Sequence, residues 1–386
     1  MPSDHPWKDE RWLPGVLNCE QLGSLIECGL IKNADNKIDS DASALDLHLS
    51  GEGYEMFKGS IKPFNRSYSA ITKDPFYAKK LTEESDKSFI LKKEHCYVFK
   101  IKESLHSSII KNSPFYGQAT AKSSIGRIDV IARLIVDGMK EYETFVPNTV
   151  GSGEMFLEIT PITFDVKVKE GISISQLRFC NGFFESSTIK DKDFINTVLN
   201  LGKESNNEGT LSVDISNIKI TENVYAAAFC AKDKIETPIE LWGQAQYDPS
   251  VFWQSVRSSE ENNLKSIGIQ RNNFYILRSK ERLSLPAGVC IYCRAMDETL
   301  GEMRIHYAGF VHPLFGSDRK DDREGTPLIF EVRGHNVSVL LTHDEILARL
   351  FFYRMSRHSL KIENDESQPY NNQELLLSKF FKKFES

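Results

Sequence analysis

The densest cluster of residues suited to binding and catalysis lies in AKSSIGRIDVIARLIVDG, residues 121–138. Its chemistry-bearing residues, all within six positions, are Lys122, Ser123, Ser124, Gly126 and Arg127. A guanidinium can bind phosphate oxygens through two hydrogen bonds, hydroxyls and backbone amides can fill the remaining lone pairs, and glycine lets a ligand approach the backbone. The pattern fits a phosphate site, although residue types alone favour a solvated turn before the apolar strand VIARLIV.

A carboxylate that could carry protons lies in the segment MFLEITPITF. Strand alternation puts Glu158 and Phe156 on one face and Leu157 on the other. The simplest interpretation is that the face of the strand that carries Glu158 is exposed to solvent. In a partly closed cleft beside an aromatic ring, the pKa of such a carboxyl would instead rise, which suits a general base.

Blocks of similar sequence recur in the same order at nearly constant spacing, which indicates a tandem duplication. The matched pairs are Asp46 with Asp214, Tyr97 with Tyr275, and Glu158 with Glu331. Each repeat begins with a helical pattern, at 18–32 and at 187–203, followed by short β-branched segments between glycine and proline turns. The sequence therefore predicts two mainly β domains joined near 182–187.

Composition excludes several classes of protein. With 386 residues, 40% of them hydrophobic, and a net charge of -6, the chain is neither fibrous nor wholly disordered, and no global basic field attracts nucleic acid. No apolar run is long enough for a membrane span, and the N-terminus lacks a secretory pattern, so we expect a cytoplasmic protein. Cys290 and Cys293 form a CxxC inside an apolar strand, for which we predict a structural role and no zinc.

Taken together, these segments resemble the deoxycytidine triphosphate deaminases of the trimeric dUTPase superfamily, in particular their long, tandem-repeat bacterial form. KSSIGR is similar to the family's (R/K)SSxxR phosphate and base loop, and EMFLEI to the strand that carries its catalytic glutamate. EGISISQLRF is similar to its xPGxxIxQLxF hairpin, with Glu170 in place of proline. SALDLHL, GEMRIHYAGFVHPLFG and SQPYNNQELLLSKFF also match the long form.

The resemblance implies a mainly β fold of two tandem dUTPase-like distorted β-barrel domains with short flanking helices. Residues 1–184 would form the domain with the catalytic motifs, and 185–360 a second, non-catalytic domain. Residues 361–386 would form a tail that closes over the nucleotide. The amphipathic end of this tail, LLLSKFFKKF, suggests a small helix, either docked on the site or frayed.

The activity that the resemblance implies is hydrolysis of dCTP to dUTP and ammonia. Glu158 would take a proton from water, Ser123 would hold the water or the tetrahedral centre, and Arg127 would bind the triphosphate or support the base. The other substrate-binding residues implied are Lys122, Ser124, Gly126, Asn148, Phe156, Leu157, Tyr370, Gln373 and Lys379. The partners implied are dCTP and other deoxynucleotides, together with further copies of the chain in a homo-oligomer.

No metal site is expected in the protein itself. The sequence lacks the HxE and PCxxC signature of zinc-dependent deaminases, so Mg²⁺ would enter only with the triphosphate.

Two departures from the family pattern affect these expectations. Asn148 stands ten residues before Glu158, where the family has an aspartate that holds the sugar's 3′-hydroxyl. A related aspartate activates water in dUTPases, so Asn148 argues against further cleavage to dUMP. When Gly301 of the second repeat is aligned with Gly126 of the first, acidic residues stand at the positions of Lys122, Ser123 and Arg127. They are Asp297, Glu298 and Glu302, and their charges would repel a triphosphate.

The remaining candidates of the second repeat are predicted to be structural: Glu331 beside Arg333, which could pair with a carboxylate, and the histidines His306 and His312. Three alternatives stay open for the protein as a whole. They are a dUTPase, a bifunctional enzyme that gives dUMP, and a regulatory protein that binds deoxynucleotides without turnover.

Overall fold

The computed structural model describes residues 5–35, 43–63, 66–201, 205, 207–296, 309–317, 325–358 and 373–384, and the backbone of 303–306. The described chain is mainly β, as predicted, and forms two domains of curled, barrel-like sheets. Within the described residues, no helix combines the length and the hydropathy that crossing a membrane would require.

The first domain is built around one long sheet in the order β10–β8–β13–β3–β6–β11–β9. Strands β1 and β4 pair with β13 and β3, respectively, and β2 pairs with β7. The bounds are β1 Gly15–Val16, β2 Ile31–Lys32, β3 Leu45–Met56, β4 Ala78–Lys80, β5 Ser88–Leu91, β6 Tyr97–Ile101, β7 Ser104–Leu105, β8 Phe115–Ala121, β9 Val130–Val136, β10 Thr144–Phe145, β11 Met155–Pro161, β12 Val166–Lys169 and β13 Ser173–Asn181.

The second domain has a similar sheet in the order β20–β18–β23–β15–β29–β24–β26, with β27 between β23 and β25. Strands β21, β22 and β28 form a smaller sheet, and β14 pairs with β29. The bounds are β14 Thr188–Ile189, β15 Thr210–Asp214, β16 Ile218–Lys219, β17 Tyr225–Ala226, β18 Ala228–Ala231, β19 Ile239–Glu240, β20 Trp253–Val256, β21 Ser259–Glu261, β22 Leu264–Ile269, β23 Phe274–Leu283, β24 Val289–Ala295, β25 Met303–His306, β26 Gly309–Val311, β27 Thr326–Gly334, β28 Val339–Thr342 and β29 Ile346–Arg354.

The helices are short. Each domain begins with one whose start is fixed by a side-chain cap: Asn18 forms a capping box with Gln21, and Asp191 accepts from the backbone of Phe194. The bounds are α1 Cys19–Glu27, α2 Tyr68–Lys73, α3 Ser107–Lys111, α4 Ser123–Gly126, α5 Lys192–Val198 and α6 Pro249–Phe252, with 3₁₀ turns at Pro6–Lys8, Pro147–Thr149 and Phe184–Ser187.

The two domains share part of their structure. Strand β19 of the second domain pairs in parallel with β12 of the first, and a small sheet β19–β12–β5 therefore spans the boundary. Phe164 of the first domain packs edge-on against Phe252 and Trp253 of the second, with ring centroids 5.6 and 5.8 Å apart. These contacts determine which faces of the two domains pack together.

The C-terminal segment 373–384 is irregular rather than helical, so the predicted short helix in LLLSKFFKKF is wrong. Its backbone instead follows a second-domain loop: Ala245 donates to the Lys379 carbonyl over 2.8 Å, and Tyr247 bridges to Phe381. The Phe381 ring lies 5.3 Å from that of Phe252 and is buried in the core. Interdomain packing, not helix propensity, sets the conformation of this segment.

Candidate active site at the domain boundary

The loop 122–127 is held by its own residues and by the C-terminal segment. Strand β8 leads into α4, and Arg127 caps that helix with only 2% of its surface exposed. The Arg127 guanidinium donates to Ser123 Oγ over 3.1 Å, to the Leu376 carbonyl over 2.8 Å and to Gln373 Oε1 over 2.6 Å. The predicted site residues Ser123, Arg127 and Gln373 therefore lie together, and the guanidinium is oriented by both chain segments.

The rest of this loop offers hydroxyl and ammonium groups near the same segment. Ser123 is exposed, whereas Ser124 and Gly126 are buried, and the Ser124 carbonyl accepts a hydrogen bond from Ser378 Oγ over 2.8 Å. Lys122 forms an ion pair with Asp46. Burial and, second, the charge of Lys122 lower the pKa of Lys379, which places these two ammonium groups near each other.

A buried carboxyl from the second domain, Glu331, faces this loop. Ile329, Glu331 and Arg333 alternate on one side of β27, and Ile329 packs against the larger hydrophobic core, which contains residues of both domains. Burial raises the pKa of Glu331 to about 8, the charge of Arg127 lowers it, and that of Asp129 raises it. Within the described part of the chain, no hydrogen bond is formed by this carboxyl.

An ion pair across the domain boundary lies beside Glu331. The Arg333 guanidinium binds Asp129 Oδ2 through two nitrogens, with Nε at 3.0 Å. Arg333 also donates to Thr163 Oγ1 over 2.5 Å, and Thr163 in turn donates to Asp129. The expectation that Arg333 pairs with a carboxylate is confirmed, and its partner belongs to the first domain.

Glu158 has a different environment from the one predicted. Its outward face is not in solvent: the side chain is completely buried, and it accepts from Arg133 Nη2 at 2.5 Å, Tyr142 Oη at 2.9 Å and Ser60 Oγ at 3.0 Å. Strands β11 and β9 pair Glu158 with Arg133, well along β9 from the Arg127 loop. In this chain the structure does not bring Glu158 to Ser123 and Arg127.

Three further predicted residues have other environments than those predicted. Phe156 is buried against Tyr68, with ring centroids 5.4 Å apart, and Leu157 belongs to the main core. Because β11 pairs with both β6 and β9, the backbone groups of these residues are used in the sheet and not presented to a base. Asn148 lies exposed in the 3₁₀ turn before β11.

Several residues of the sequence analysis lie outside the described part. They are Tyr370, Asp297, Glu298, Gly301 and Glu302. His312 is half-buried and contacts Ser43 Oγ through Nδ1 over 3.0 Å, and desolvation of its ring lowers its pKa to about 3. All seven cysteines are free thiols, with Cys290 buried, and no group of three or more potential metal ligands occurs among the described side chains.

Comparison with known proteins identifies the family. The model of the 2′-deoxycytidine 5′-triphosphate deaminase N-terminal domain matches residues 13–183, and that of the C-terminal domain matches 187–381. The chain belongs to the 2′-deoxycytidine 5′-triphosphate deaminase family. It is accordingly an enzyme of the dCTP deaminase type, and its substrate is a deoxynucleotide.

A solved dCTP deaminase structure, that from Agrobacterium tumefaciens, has the same fold. It matches with a TM-score of 0.75 at 24% sequence identity, over 90% of this chain and 97% of that chain. A search of the curated proteins found no match.

The dCTP deaminase pattern contains a signal for Glu331 that the sequence analysis did not use. The aspartate that the family pattern has ten residues before its glutamate is absent before Glu158, where Asn148 stands. The same spacing before Glu331 gives Asp321, a residue outside the described part. The second domain therefore carries both acidic positions of the pattern, and the first domain carries the KSSIGR loop.

Proposed function

We propose that this chain deaminates dCTP to dUTP at the boundary of its two domains, where the loop 122–127 meets Glu331. The observation that carries the proposal is this convergence of Arg127 and the Glu331 carboxyl within a member of the dCTP deaminase family. Glu331 thereby takes the role that the sequence analysis gave to Glu158.

Glu331 is suited to move protons in both steps of the reaction. Its carboxylate takes a proton from water as the oxygen attacks C4 of cytosine, and passes that proton to N3. The second proton goes from the new hydroxyl through Glu331 to the amino group, the C4–N4 bond breaks, and ammonia leaves as the carbonyl forms. A pKa near the working pH favours transfer in both directions.

The loop supplies the groups that stabilise the reacting atoms. The exposed hydroxyl of Ser123 holds the water or the tetrahedral centre, and Arg127, already hydrogen-bonded to Ser123, keeps that hydroxyl in place. Lys122 and Lys379 bind triphosphate oxygens as paired point charges. Mg²⁺ enters with the triphosphate, bound to its oxygens.

The C-terminal segment closes the site over the nucleotide. Gln373 and the Leu376 carbonyl contact Arg127, and Ser378 contacts the Ser124 backbone, so this segment and the loop are ordered together. Tyr370, which the resemblance implied, precedes the segment in sequence and lies outside the described part. Asn148, Phe156 and Leu157 have no assigned role in this proposed site.

Cleavage to dUMP is the second candidate activity. The argument against it rested on Asn148, which precedes Glu158, whereas Asp321 precedes Glu331. With Glu331 in the site, that argument no longer applies. Membership of an enzyme family argues against a protein that binds deoxynucleotides without turnover. Association into homo-oligomers stays a prediction.

The test is a product assay with dCTP, CTP and dUTP, each incubated separately with Mg²⁺. Nucleotides are resolved by ion exchange, and ammonia and pyrophosphate are quantified. We expect dUTP and ammonia from dCTP only. Pyrophosphate and dUMP would show the bifunctional activity, and binding without any product would contradict the proposed function.

A further inference from the structure

Asp129 is a buried carboxylate that neither the family pattern nor the proposed mechanism uses. It follows Arg127 by two positions and has no exposed surface. Its backbone has φ 59°, a left-handed conformation that aspartate tolerates better than most residues. Hydrogen bonds to Gly126 and from Ile162, of 2.9 and 3.0 Å, fix that backbone on both sides.

The contacts of Asp129 join the two halves of the proposed site. Oδ2 accepts from Arg333 and from Thr163 at 2.5 Å, whereas Oδ1 is buried and has no partner among the described residues. Arg333 stands two positions after Glu331 on the same face of β27. Arg333 and Glu331 are therefore neighbours on one face of β27, separated by one two-residue repeat of the strand.

We propose that Asp129 and Arg333 form a positioning pair that holds Glu331 against the Arg127 loop and sets the electrostatic environment in which it exchanges protons. The inference deepens the proposed function and rests on it. The Arg333 fork locks β27 to the first domain at one point, because two nitrogens meet one carboxylate in a fixed geometry. The negative charge of Asp129 then lies beside Glu331 at a fixed distance.

Other charged and titratable groups near Glu331 are few in the described part. Arg127 faces it from the loop, Arg333 lies on its own strand, and Cys293 of β24 is close enough for its thiol to be affected by the Glu331 charge. His306 stands opposite Glu331 in the register of β25. Asp129 is the carboxylate whose charge raises the pKa of Glu331, and this makes its removal informative.

The experiment compares pH profiles of kcat/KM for dCTP in the wild type, Asp129→Asn and Arg333→Lys. The amide oxygen of the substituted side chain in Asp129→Asn can still accept from Arg333, so mainly charge is removed. We expect the acidic limb of the Asp129→Asn profile to move about 1 pH unit lower, since a nearby like charge is gone. Arg333→Lys keeps the positive charge but loses the two-nitrogen contact with Asp129. We therefore expect kcat to fall about tenfold, while KM and the acidic limb of the profile change little.

The control is Asp165→Asn, which neutralises an ion-paired aspartate of the first domain outside the site. Its profile should match the wild type. A second readout, infrared detection of the protonated Glu331 carboxyl, identified by its loss in Glu331→Gln, follows the same titration without turnover.

The outcomes separate the two proposals. If Glu331→Gln keeps its activity, the proposed function of the site fails. If Glu331→Gln is inactive but Asp129→Asn leaves both the acidic limb and the infrared titration unchanged, the positioning pair is refuted.

Discussion

Two glutamates at matching strand positions have opposite environments in this molecule. Glu158 lies between β6 and β9, opposite Val98 and Arg133, and Glu331 lies between β23 and β25, opposite Ile276 and His306. Three donors surround Glu158 and compensate its charge. No described residue hydrogen-bonds to Glu331, whose pKa burial raises.

The difference shows that the position of a carboxylate on the strand does not decide its chemistry. The segments 57–63 and 66–77 cover Glu158 and bring Ser60 and Tyr68 over that face, so Glu158 takes part in a structural cluster. The corresponding face of β27 is covered by the first domain, which brings Arg127 and Asp129. What covers the strand determines whether its carboxylate is compensated or available for proton transfer.

The largest effect is expected when the two glutamates are replaced in turn. Glu331→Gln should lower kcat by about 10²–10⁴-fold, the usual contribution of a general base, because the amide cannot take a proton. Glu158→Gln should leave kcat within about twofold of the wild type. Steady-state ammonia release measures both, and an inactive but folded Glu158→Gln would return the base role to Glu158.

The pH dependence of stability should differ between the wild type and Glu331→Gln. The folded-state pKa of Glu331 is raised to about 8 from 4.5, so the folded protein retains a proton that the unfolded chain releases. The resulting stabilisation is complete below about pH 4.5 and is lost as pH rises through 8. Urea unfolding should therefore show Glu331→Gln gaining a few kcal/mol relative to the wild type between pH 5 and 9. A pH-independent difference would contradict the raised pKa.

Glu158→Gln should lower stability rather than turnover. Removing one member of a buried ion pair costs about 3–5 kcal/mol, but Arg133 is 35% exposed and can regain water, so we expect about 2 kcal/mol. The free energy of unfolding from urea titration measures this. Ser60→Ala, which removes a single hydroxyl contact with Glu158, should cost about 1 kcal/mol and serves as the graded control.

A more modest effect is expected for the contact of the C-terminal segment with Arg127. Gln373→Ala removes one acceptor from Arg127 and leaves the Leu376 carbonyl and Ser123 in place, so KM for dCTP should rise about tenfold. The exposed Gln254 of β20 provides a matched control, since Gln254→Ala should leave KM unchanged. Equal KM values for the two variants would show that Gln373 does not support the site.

Local sequence patterns predicted the elements well. VIARLIV corresponds to β9, alternation in MFLEITP identified the two faces of β11, and both opening helices were expected from their patterns. The KSSIGR loop was also recognised, because its chemistry lies within six consecutive residues. Such features depend on neighbours in the chain, which the sequence displays directly.

The pairing of the loop with Glu331 could not be derived in the same way. Arg127 and Glu331 are far apart in sequence, and only interdomain packing decides which of two equivalent glutamates faces the loop. The pairing of Asp129 with Arg333 has the same origin. The tail was misjudged for a related reason: its apolar residues fit a helix in isolation, but Phe381 fills an interdomain core.

Because Arg127 and Glu331 belong to one polypeptide, their meeting is an intramolecular event. Its effective concentration is set by the covalent connection and by the pairing of β12 with β19, and not by how many molecules are in solution. A site divided between separate chains disappears on dilution, whereas these two groups stay together at any dilution that leaves the chain folded. Self-association is therefore not needed to bring the Glu331 carboxyl and the Arg127 guanidinium together.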